Sequence, residues 1–197
     1  MLLLLILVLG AAGCSFGSAS SAPSTSQRTP PVQLASFTTH RANRYLLRFR
    51  YPASWHAYHW MVVSSFTFSM AYLSTAVEHD PCVSTANTTT CSSPIDKLEP
   101  SGVIASWTAE TSMLGENLAR FPGRAHRLPS GWFVKLSVTK RGSEGSPSAR
   151  EEITAITAPS RHSQDWWILR ATLRGPAMAA NARAVLALLA STRPMRA

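Results

Sequence analysis

Acidic residues are scarce in this chain. Only 10 of its 197 residues are Asp or Glu, against 19 Lys or Arg, and the net charge is +9 although charged residues make up just 15%. That balance favours anionic surroundings: phospholipid, acidic envelope polymer or nucleic acid. The apolar run at residues 2–9 has eight residues, whereas a permanent membrane helix needs about 20. The signatures GxSxG, HExxH, GxGxxG and the P-loop do not occur, so enzyme activity has no motif to stand on. No internal repeat is visible. Cysteine is limited to Cys14, Cys82 and Cys91.

What the chain does hold is organised. Its apolar share of 45% is enough for a core, and its length allows about one ordinary domain. The apolar run at 2–9 has the length of a secretory signal's hydrophobic region, and Gly10, Ala11, Ala12 and Gly13 are small residues of the kind that precede a cut. They run directly into Cys14. This arrangement resembles the lipobox of bacterial lipoproteins, with Ala11 where that family usually has Leu and no Lys or Arg ahead of the apolar run. The resemblance implies a signal peptide at 1–13 and a palmitate-type lipid anchor on Cys14. The other reading of Cys14 is a buried thiol in a first helix. Residues 14–33 are rich in Ser, Ala and Pro with no periodicity, a composition that reads as a flexible tether.

From Leu34 to Thr192 the pattern changes to that of one globular domain, with 193–197 left as a tail. Tyr45, Leu47, Phe49 and Tyr51 alternate with Leu46, Arg48 and Arg50, a half-buried strand stopped by Pro52. Phe66, Phe68, Met70 and Tyr72 alternate with small and polar residues. Further strands are expected at 103–107, 132–139, 153–157 and 166–173, with a hairpin loop at 142–148. A C-terminal helix is expected from Gly175-Pro176, its apolar stripe made by Met178, Ala182, Val185, Leu186 and Leu189. A shorter helix is expected from Ser112, with Leu114, Leu118 and Phe121 on one side. The fold class that follows is α+β, an antiparallel sheet sandwich covered by a C-terminal helix.

The stretch FRYPASW, Phe49 to Trp55, followed at the end of the domain by a strand and a helix, resembles the PsbP/Mog1-like domains of small actinobacterial envelope lipoproteins. The resemblance implies an antiparallel α/β sandwich. It carries over no catalytic residue, because a fold alone does not fix a function.

Chemistry has to be sought residue by residue. His56 and His59 in WHAYHW have a spacing that suits two ligands on a helical turn, but no Asp, Glu or Cys nearby completes a set, so no metal and no cofactor is expected. Ser137 and Lys140 match SxxK, yet on a strand they point to opposite faces. The arginines, among them Arg41, Arg44, Arg120, Arg124, Arg127, Arg161, Arg170 and Arg174, are dispersed rather than gathered in one tract, which argues against nucleic acid. Arg48 and Arg50 share one strand face, and with His56 and His59 they are the candidate binding surface. With Cys14 committed to lipid, Cys82 and Cys91 are the remaining pair, and an exported setting favours a disulfide between them. The segment carrying them is longer than an ordinary connection, and Ser93-Pro94 reads as the cap of a short turn reaching Leu98. The expectation is a membrane-anchored, extracytoplasmic envelope lipoprotein that acts as a non-catalytic binding module for a protein, anionic lipid or glycopolymer. The alternative is an envelope hydrolase or transferase whose site is scattered along the chain.

Overall fold

A computed structural model describes residues 32–39, 45–60, 67–91, 101–111, 117–142 and 150–196. The strands of the first half are β1 (Leu34–Thr38), β2 (Tyr45–Pro52), β3 (His56–Tyr58), β4 (Thr67–Ser74), β5 (Cys82–Ser84), β6 (Thr89–Cys91) and β7 (Val103–Thr111). Those of the second half are β8 (His126–Arg127), β9 (Phe133–Arg141), β10 (Arg150–Ala158), β11 (Asp165–Arg174) and β12 (Arg193–Arg196), with one helix, α1 (Met178–Ser191), before the last. Sheets and a C-terminal helix make the fold α+β.

Seven strands form one antiparallel sheet in the order β3-β4-β7-β11-β10-β9-β8. A three-stranded sheet, β1-β2-β12, is antiparallel as well, and among the described residues β5 and β6 pair only with each other. Alternation explains how the layers meet. On β2, Leu47 and Phe49 are buried while Arg48 and Arg50 are exposed, so the inner face of the small sheet packs on the inner face of the large one. Phe49 approaches Trp107 of β7 at 6.4 Å between ring centroids, and Tyr45 meets Trp132 and Trp167 edge-on at 5.2 and 5.3 Å. Edge-to-face rings add about 0.5–1.5 kcal/mol per pair beyond the area they bury. Helix α1 covers the same inner face, packing on β2, β11, β10 and β7 through Val185, Leu188 and Leu189.

Strand β11 reads DWWILRATLR and is buried on both faces over most of its length. Its inner side chains, including Trp167 and Leu169, join the main core. Its outer ones, Trp166 and Ile168, lie under a smaller cluster with Leu118, Ala158, Phe121 and Phe133.

The structure departs from several of these expectations. The alternation of β4 slips, because the register with β7 shifts between Ser69 and Ala71. The extra residue turns Ala71 and Leu73 inward and Tyr72 outward, as a bulge does; Phe66 lies outside the described residues. Helix α1 begins at Met178 rather than at Gly175-Pro176, since Gly175 has φ 78° and turns the chain out of β11. Leu188 is buried in the stripe, while Leu186 is 37% exposed. The short helix near 112–121 appears, within the described residues, only as a 3-10 turn over Leu118–Arg120, with the Asn117 side chain accepting from the Ala119 N–H at 2.9 Å. Residues 193–196, read as a tail, pair with Tyr45–Arg48 as strand β12. The strand at 103 runs on to Thr111, held by pairing with β11 out to Asp165. Strands β9 and β10 pair from Arg141–Arg150 onward as a hairpin, whose loop at 143–149 lies outside the described residues. So do Cys14, residues 1–31, and the Ser93–Leu98 turn.

Candidate binding surface

The outer face of the small sheet is built by β2 and its two neighbours. Arg48 lies opposite Thr38 on β1 and Arg193 on β12, and Arg50 lies opposite Ser36. Arg48, Arg50 and Arg193 are all exposed. None of them is in an ion pair among the described residues, where the pairs are Lys140–Glu151, Arg141–Glu152, Arg150–Glu152 and Arg170–Glu110. The face therefore presents three guanidiniums on a short, hydroxyl-bearing sheet, with no carboxylate partner among the described residues. The backbone beneath is fixed: the Arg50 N–H donates to Ser191 Oγ at 2.9 Å, tying β2 to the end of α1. Sequence reasoning missed Arg193. Its signal was the R-P-M-R alternation after the helix, too short to read as a strand without its partner.

The other two candidates lie elsewhere. His56 sits on β3 at the edge of the large sheet, opposite Ser74, in a row of rings with Tyr58, Trp60 and Tyr72. His59 is exposed and stacks on Phe37 of β1 at 4.2 Å. The two histidines thus join neither each other nor the arginine face in one site.

Among the described residues no group of three or more His, Cys, Asp or Glu could hold a metal. Ser137 lies opposite Thr154 and Lys140 opposite Glu151, so the SxxK pair points to the two faces of β9. Cys82 and Cys91 are disulfide-bonded across the β5–β6 ribbon, where they are register partners. A second tie holds the ribbon's entry: the Cys82 N–H donates to Asp80 Oδ1 at 2.8 Å. No helix among the described residues is long and apolar enough to cross a membrane.

Comparison with known proteins finds no matching family model, no matching curated protein and no matching solved structure.

Proposed function

We propose that this chain is a lipid-anchored protein of the extracytoplasmic membrane face, and that its domain is a non-catalytic module that lies on anionic headgroups through Arg48, Arg50 and Arg193. The observation that carries the reading is that these three arginines share an exposed sheet face without a carboxylate partner among the described residues. A cation near an anionic bilayer contributes about 1 kcal/mol, so three together hold a domain only weakly. Acylation at Cys14 supplies the rest, since stable anchoring takes two signals. A random-coil tether of about 20 residues has a root-mean-square span of about 25 Å, short enough to keep the domain within reach of the surface. The Cys82–Cys91 disulfide supports an oxidising compartment. The architecture, two antiparallel sheets with a C-terminal helix, and the FRYPASW turn from β2 to Trp55 support a domain of the PsbP/Mog1-like type.

Two measurements test the reading. Radioactive palmitate should label the wild type and not Cys14→Ser; equal labelling refutes the anchor. The full chain carrying Cys14→Ser should sediment with phosphatidylglycerol vesicles at low salt and not with phosphatidylcholine vesicles. Replacing Arg48, Arg50 and Arg193 with Ser should abolish that binding, and retention of it would refute the face.

A further inference from the structure

A second cationic site lies on the other side of the sandwich, on the outer face of the large sheet. A cleft of about 410 Å³ opens there between the 3-10 turn, the segment leading into β8, strand β9 and the β10–β11 connection. Its charged lining among the described residues is Arg124, Lys135 and Arg161, with no carboxylate among them. None of the three is in an ion pair among the described residues.

Two of these cations are held in place by groups that leave their charge intact. Lys135 points outward from β9, opposite Ile156. Its ammonium donates to the carbonyls of Ala119, at 3.2 Å, and of Phe121. Both acceptors belong to the segment around the 3-10 turn. An ammonium has three protons, so one remains for a ligand. Arg161 lies over the Phe133 ring at 5.1 Å, as Arg127 does. An aromatic face positions a guanidinium while its N–H edge stays free to donate.

We propose that this cleft binds the phosphate group of a phosphate ester. A carboxylate carries one charge and is satisfied by a single bidentate arginine. A phosphate carries up to two charges and offers oxygens in several directions, matching cations that arrive from three separate segments. The volume lies within the range of small-molecule sites, which leaves room for a glycerol- or sugar-sized group on the ester. The source of the phosphate rests on the function proposed above. If the arginine face of the small sheet lies on the bilayer, this cleft faces away from it, so the ester is a soluble or polymer-borne one rather than a headgroup of the same membrane.

Calorimetry on the full chain carrying Cys14→Ser, at low ionic strength, is the test. Glycerol 1-phosphate should bind once per chain, and acetate at matched ionic strength about tenfold or more weaker. Arg161→Gln and Arg124→Gln, both at exposed positions, should each weaken glycerol 1-phosphate by about tenfold, the loss of one charge-assisted contact. The Arg48→Ser, Arg50→Ser pair should leave that affinity unchanged. Lys135→Met should weaken it too, but it also removes a tie to the turn, so the arginine variants decide the matter. Binding no tighter than acetate, or binding indifferent to Arg161→Gln in a protein with unchanged circular dichroism, overturns the site. Vesicles containing phosphatidic acid separate the sources. Retained vesicle binding in Arg161→Gln supports a soluble or polymer-borne ester, whereas its loss would reassign the site to headgroups and overturn that assignment.

Discussion

Arg48 of β2 and Arg193 of β12 face each other directly across an antiparallel pair, two exposed like charges with no carboxylate partner among the described residues. Directly opposed like charges cost a sheet a few tenths to about 1 kcal/mol. Keeping them makes sense where the face meets anions. Arg193→Glu turns the repulsive pair into an attractive one, and we expect its thermal midpoint to rise by about 1–4 °C. The same variant should bind phosphatidylglycerol vesicles more weakly. A lowered midpoint would show that the pair is not repulsive in the folded protein.

An element is legible in the sequence when its signal is local. Strands β2 and β10 alternate against one buried face, β9 alternates in sequence although Leu136 and Val138 are exposed, and β11 is apolar apart from Asp165, Arg170, Thr172 and Arg174. The slip at Ser69/Ala71 was hidden, since a bulge is specified by the partner strand β7 and not by β4's own residues. Strand β12 was hidden for the same reason: four residues carry too little periodicity, and only pairing with β2 defines them. The surface behaved similarly. Arg48 and Arg50 were readable as one face from spacing of two. Arg124 and Arg161 looked merely dispersed, and only the fold brings them to one cleft with Lys135.

Among the described residues the β5–β6 ribbon pairs with neither sheet, and Val83 on it is 68% exposed. Its disulfide therefore staples a local loop. In the simple chain-entropy account a closed loop of about ten residues contributes on the order of 2.7 kcal/mol. The Cys82→Ser, Cys91→Ser double variant should lose no more than that in denaturant unfolding, with an unchanged slope. Wild-type protein purified from an exported source should show no reactive thiol at these positions before reduction. Two free thiols there would contradict the bridge.

The turn that delivers Trp132 to the core depends on backbone conformation rather than on space. In Leu128-Pro-Ser-Gly131 the Gly131 N–H donates to the Leu128 carbonyl at 2.9 Å, and Gly131 has φ 87°. No described residue lies within 4 Å of a Cβ built there. A side chain would fit, yet the left-handed conformation costs an L-residue about 1–2 kcal/mol. Gly131→Ala should destabilise by that amount, and Gly131→Asn by less, because Asn tolerates this region better. Chemical unfolding of the pair checks it: equal stability of Ala and Gly would mean the turn relaxes.

Arginine footprinting of the lipidated full chain tests the proposed orientation most directly. Phenylglyoxal modifies exposed guanidiniums, and mass spectrometry can compare protein in phosphatidylglycerol vesicles with protein in neutral detergent micelles. Arg48, Arg50 and Arg193 should be shielded on the vesicles, while Arg124 and Arg161 should stay as reactive as in micelles. Equal reactivity of all five in both settings, or shielding of Arg124 and Arg161 in place of the other three, would contradict that orientation.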